Sequence, residues 1–158
     1  MSEITVQRLD RGDAEEVAVM VGELLAEIME AIGVQAFNFD LGETIGRLEN
    51  FLSRGKYLVL VARDREHRAL GFLTLYEGHA LYAEGDFGII AEFYVRPACR
   101  SAGVGHALAD EARALARSMG WKRLEVTTPP LPQFDRTLAF YEREGFAITG
   151  GRKLKLAL

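Results

Sequence analysis

The chain has 158 residues, 49% hydrophobic and 27% charged, the proportions of one globular domain large enough for a single core. Its net charge of −4 argues against a nucleic-acid surface over the whole protein, and no apolar run approaches the ~18 residues of a transmembrane helix. The one cysteine, Cys99, excludes an internal disulfide and fits a reducing compartment; residues 1–10 lack the basic start and apolar block of a signal peptide, so the expected location is the cytoplasm.

Taken in chain order, Ile4-Thr5-Val6-Gln7-Arg8-Leu9 alternates with period two and predicts a strand. Asp13 with Glu16 has the form of a capping box. Val17, Met20, Val21, Leu24, Leu25, Ile28 and Ile32 then fall at helical spacing, up to Gly33. The other face carries Glu23, Glu27 and Glu30, a row that either attracts a cationic ligand or is the wet side of a helix. Asp40 with Glu43 opens a second helix, with Leu41, Ile45, Leu48 and Leu52 in its stripe and Gly55 at its end. Residues 57–62 are almost all apolar, as in a strand buried on both faces. Residues 64–68 form a charged turn, 69–76 a strand, 78–86 a loop and 87–95 a further strand.

A turn of small residues over 97–105 leads into a helix over about 103–119, with Val104, Leu108, Ala112, Leu115 and Met119 on one face. Residues 124–128 predict a strand, 129–132 a proline-stiffened loop, and 136–144 a short helix stopped by Gly145. Residues 146–149 and 153–158 predict two closing strands around Gly150-Gly151. The result is a mixed α/β domain, with about six to seven strands flanked by four helices.

The chemistry concentrates at Val95-Arg96-Pro97-Ala98-Cys99-Arg100-Ser101-Ala102-Gly103-Val104-Gly105-His106, where a strand ends and a helix begins. A helix start offers free backbone N–H groups and partial positive charge. Gly103 and Gly105 permit close approach and unusual dihedrals, and Arg100 adds a full charge. That combination suits a pyrophosphate, although a tight turn with close helix packing reads the same way. A P-loop is excluded by the missing Gly-Lys-Ser/Thr ending. A dinucleotide fingerprint would need glycine where Leu108 stands. Glu125, about 20 residues on, favours that reading, but too little chain follows it for further βαβ units.

Arg100-Ser101-Ala102-Gly103-Val104-Gly105 resembles the Arg/Gln-x-x-Gly-x-Gly/Ala signature of the GNAT superfamily of acyl-CoA N-acyltransferases. Phe140-Tyr141-Glu142-Arg143-Glu144-Gly145-Phe146 resembles its second signature, and the resemblance spans nearly the whole chain. It implies a GNAT-like fold that takes acetyl-CoA as cosubstrate, needs no metal and acetylates an amine by direct attack. Arg100, Ser101, Ala102, Gly103, Val104 and Gly105, with His106 at the edge, would hold the CoA pyrophosphate. Phe93, Tyr94 and Val95 would pair with the pantetheine arm, in a gap where their strand splays from the next. Strand amides would stabilise the developing oxyanion.

Two residues would carry the proton transfers. Tyr141 matches the tyrosine that protonates the leaving thiolate, since a phenol near ~10 still holds a proton to give. Glu92 is the candidate base, because an alkyl ammonium near ~10.4 must lose a proton before attack. It stands in an apolar run on the same face as Tyr94; the plain alternative is a solvated carboxylate. His79 reads as a solvated loop histidine or a pocket wall, and Cys99 as incidental. The family often has asparagine where this chain has Phe134, leaving Asp135 to cap the last helix.

The acceptor would be a small-molecule or peptide amine, with neither nucleic acid nor membrane as partner. Base rates favour a homodimer, though no sequence feature specifies one. Two rival readings are a non-catalytic acyl-CoA-binding module and, less well supported, a nucleotide-binding oxidoreductase.

Overall fold

A computed structural model describes residues 3–9 and 11–158; Met1, Ser2 and Asp10 of the expected N-terminal alternation lie outside the described residues. The elements are β1 (Thr5–Arg8), α1 (Ala14–Ile32), α2 (Leu41–Ser53), β2 (Leu58–Arg63), β3 (Ala69–Ala80), β4 (Gly85–Val95), α3 (Val104–Ser118), β5 (Leu124–Val126) and α4 (Asp135–Arg143). The strands form one sheet in the order β1-β2-β3-β4-β5, antiparallel except for the parallel β4–β5 pair.

Alternation along the strands gives the sheet two apolar faces. On one, Val59, Val61, Phe72 and Tyr94 pack with Val17 and Met20 of α1 and Leu48 of α2. On the other, Leu60, Ala62, Leu73, Leu75 and Ile90 pack with Val104, Leu108, Ala112 and Ala116 of α3. The molecule is therefore helix, sheet, helix in three layers. Each fully buried aliphatic or aromatic side chain contributes about 1.5–3 kcal/mol to holding them together. Leu60 and Val61, on opposite faces of β2, are both buried, as the apolar run predicts.

The sheet has five strands among the described residues, fewer than the six to seven expected. Residues 146–149 and 153–158 form none, and Ile148, Leu154, Leu156 and Leu158 are exposed. Their alternation marks no buried face, so nothing fixes a register there. Residues 78–86 are not a loop. β3 and β4 continue through them as a hairpin, and only residues 81–84 make the turn. That extension is largely exposed, so polar side chains on it carry no penalty and hide the strand from an apolar-pattern reading.

The helix starts also differ from expectation. Asp40 accepts from the Glu43 N–H at 2.9 Å, as a cap should. Asp13 makes no side-chain cap bond, and Glu16 pairs instead with Arg63 at 2.7 Å. At α4 the N-cap position is Phe134, not Asp135. Asp135 falls inside the first turn, where its charge favours the helix dipole without capping it.

Candidate active site

β4 carries a bulge. Thr74 pairs with Glu92, but Leu75 pairs with Ile90, leaving Ala91 as the extra residue. Beyond it, Glu92 and Tyr94 face the α1–α2 layer, while Phe93 and Val95 face α3 and α4. Glu92 is tied into the sheet. Its N–H donates to the Thr74 hydroxyl at 2.9 Å, and that hydroxyl donates to its carboxylate at 2.5 Å. The Tyr57 hydroxyl adds a longer bond at 3.3 Å. Burial pushes the Glu92 carboxyl above its ordinary range, and the bonds from Thr74 and Tyr57 only partly oppose the shift. Tyr57 is itself pushed far up by burial and by Glu92, so it remains a donor. It also borders a surface cavity with Leu52, Tyr76 and Trp121.

β5 pairs with β4 only from Gly88 to Ile90. The β4 edge over residues 91–95 therefore has no strand beside it among the described residues. Tyr141 packs on the α3–α4 side against Phe93, in an aromatic cluster with Phe93 at 6.0 Å, Phe140 at 5.6 Å and Phe146 at 5.4 Å between ring centroids. Burial alone drives its phenol above the ordinary range, with no hydrogen bond or charge contributing, so it holds its proton at neutral pH. Glu92 and Tyr141 thus stand on opposite faces of one strand, at the level where that strand loses its neighbour.

At the end of β4 the chain makes one 3₁₀ turn, Pro97–Cys99, and then enters α3. Ser101 and Gly103 both have positive φ, at 66° and 86°. The backbone N–H groups of residues 101–106 find no internal acceptor among the described residues; the first that does is Ala107, bonding to Gly103 O at 3.0 Å. Consecutive free amides at a helix start form a cradle for an anion. Gly105 also serves packing. A Cβ there would meet the Phe140 ring at 3.0 Å, so its absence lets α3 lie against α4.

Around this core the other named residues separate. His106 sits on the rim with Nδ1 donating to Glu144 at 3.0 Å. Burial would raise the Glu144 carboxyl, but the bonds from Arg113 and His106 outweigh that and hold it low. Cys99 is half-buried against the α3-side core. His79 lies on the hairpin, 2.6 Å from Asp86, and together with Glu77 the three bring donor atoms within 4.8 Å of one another, all exposed. Glu23 and Glu27 are not a free acidic row. Glu23 accepts from Arg96 and Tyr94, and Glu27 from Arg100; of the three only Glu30 is exposed. Sequence reasoning does not reach Tyr57 or Thr74. Thr74 becomes visible only once the β3–β4 register is known, and Tyr57 carries no signal beyond opening an apolar strand.

Against known proteins, the model of the acetyltransferase (GNAT) family matches residues 24–146. None of the curated protein sequences matches the chain. Solved structures with the same fold include a predicted acetyltransferase with acetyl-CoA from Clostridium acetobutylicum, 15% identical, with a TM-score of 0.77 over 98% of this chain and 96% of that one. An aminoglycoside acetyltransferase from an uncultured soil metagenomic sample, in complex with sisomicin, is 18% identical with a TM-score of 0.77 over 98% and 96%. A ribosomal-protein-alanine N-acetyltransferase from Brucella melitensis biovar Abortus 2308 is 21% identical with a TM-score of 0.74 over 98% and 99%.

Proposed function

The chain belongs to the GNAT family of acetyltransferases, and on that premise we propose that it transfers an acetyl group from acetyl-CoA to a primary amine by direct attack. The observation that carries the mechanism is Glu92 beside the β4 bulge, half-buried, hydrogen-bonded and facing the layer opposite Tyr141. The structure of a related protein with acetyl-CoA, and the free amides of residues 101–106, support acetyl-CoA as the donor. When bound, it supplies the activated thioester.

The residues of this chain divide the remaining work. The amides of 101–106 hold the diphosphate. The open β4 edge at Phe93, Tyr94 and Val95 offers backbone groups to an extended arm and to the reacting carbonyl. Glu92 takes the proton that an alkyl ammonium near ~10.4 must lose, and its raised carboxyl is a better base than an ordinary one. Thr74 and Tyr57 orient it. Tyr141 retains its proton and, from the other face, would give it to the thiolate that leaves as the amine takes the acetyl group. The acceptor is a small-molecule or peptide amine; an aminoglycoside acetyltransferase and a ribosomal-protein-alanine acetyltransferase among the structural neighbours support both classes.

The test is thiol release from acetyl-CoA over a panel of aminoglycosides, polyamines, amino acids and peptide N-termini, with wild type and Glu92→Gln in parallel. Turnover with one class, reduced about 10²- to 10⁴-fold in the variant, is the expected result. An unchanged variant rate removes Glu92 as base. Acetyl-CoA binding with silence over the whole panel favours a non-catalytic binding module.

A further inference from the structure

Two arginines flank the anion turn, and they are held differently. Arg96 spends its whole guanidinium on the fold: Nε and Nη2 donate to Glu23 at 3.2 and 3.1 Å, and Nη1 to Ala69 O at 3.1 Å. Arg100 is held by one edge only. Its Nε donates to Val95 O at 2.8 Å and its Nη2 to Glu27 at 2.6 Å. Its guanidinium carbon lies 5.8 Å from the centre of the Tyr94 ring. Nη1 meets no acceptor among the described residues. Glu23 and Glu27 lie one helical turn apart on α1, so one helix face secures the strand end and the turn after it.

We infer that Glu27 is a positioning residue for the diphosphate turn: it holds the Arg100 guanidinium by one edge and leaves Nη1 to meet a phosphate oxygen. The inference rests on the reading that residues 101–106 take a diphosphate. Its chemistry is unequal competition. A guanidinium is a planar fork, and anchoring two of its nitrogens fixes the direction of the third. Without Glu27 the charge remains but its direction does not, and a charge-assisted bond loses strength when its donor must be ordered first. Simple electrostatics predicts the opposite sign, because removing an anion beside an anion site should tighten binding. The direction of the effect therefore decides between the two.

The measurement is calorimetric affinity for two probes, CoA and pantetheine, which lacks the phosphates. It needs no acceptor amine. Glu27→Ala, which removes the acceptor, is expected to weaken CoA about 3- to 10-fold, the range of one oriented charge-assisted bond, and to leave pantetheine unchanged; Glu27→Gln keeps an oxygen for Nη2 and should recover part of the loss. Arg100→Ala should weaken CoA alike, and the Glu27→Ala, Arg100→Ala double variant should be no worse than Arg100→Ala, since both act through one contact. Tighter or unchanged CoA binding in Glu27→Ala overturns the inference, as does an equal loss for both probes, which marks a fold defect. If wild type itself binds CoA no better than pantetheine, the diphosphate reading fails and the role of Glu27 falls with it. If wild type prefers CoA and only Glu27→Ala is silent, the diphosphate reading stands alone.

Discussion

A carboxylate that loses its water on folding becomes a stronger base and a weaker contributor to stability at once. Glu92 is in that position, its carboxyl raised chiefly by burial. Above the unfolded pKa of ~4.3 its buried charge opposes folding, and its contribution falls further as pH rises through the folded pKa. Glutamine keeps an oxygen to accept the Thr74 bond and removes the charge. Glu92→Gln is therefore expected to melt no lower than wild type at pH 7, with any advantage shrinking toward pH 4, while turnover collapses. In wild type the acid limb of kcat/KM should lie above the ordinary glutamate range and should vanish in the variant. Tyr141→Phe removes a proton donor but keeps the ring among Phe93, Phe140 and Phe146. A loss of about 10²- to 10⁴-fold in kcat with little change in affinity for CoA is expected; an unchanged kcat would leave the ring as packing only.

Elements with one buried face were legible because burial forces periodicity. The stripes of α1, α2 and α3, and the doubly buried β2, follow from the spacing of their apolar residues. The anion turn was legible for a different reason: its backbone shape demands particular residue types. Gly103 has a φ of 86°, a left-handed conformation that costs an L side chain about 1–2 kcal/mol. Gly103→Ala should lower stability by about that amount and weaken CoA, measured by urea melts and calorimetry together. Where residues were exposed, periodicity said nothing reliable. The hairpin over 78–86 went unseen because its solvent-facing positions are polar, and the alternation of 153–158 suggested a strand that has no sheet to join. The side-chain ties of Glu92 and Arg100 were hidden for a third reason: Thr74 and Glu27 are distant in sequence, and only the fold makes them neighbours.

For the molecule as a whole, stability resides in the two cores on either side of the sheet, and the last residues add little to either. Residues 147–158 are exposed throughout. Ending the chain after Thr149 should shift the melting temperature by no more than about 2 °C, because changes at exposed positions stay within about 0.5 kcal/mol in a domain of this size. A larger drop would mean that these residues have a partner in solution. The same three-layer plan explains how chemistry is apportioned. α1 carries Glu27, which orients Arg100, the sheet itself supplies Thr74 and, just ahead of β2, Tyr57 to orient Glu92, the α3–α4 layer carries the amides and Tyr141, and β4 is the wall between the two layers.

That wall contains one surplus amino acid. Ile90 and Glu92 would share a face if every residue of β4 counted, yet they lie on opposite faces because Ala91 stands outside the pairing. Excising Ala91 would leave every neighbouring side chain with its present orientation and would only straighten the ribbon. Contour and inventory, which point substitutions always alter together, come apart here. An enzyme shortened by that alanine would keep Glu92, Thr74, Tyr57 and Tyr141 and lack only the bend, so its rate would measure what curvature alone is worth.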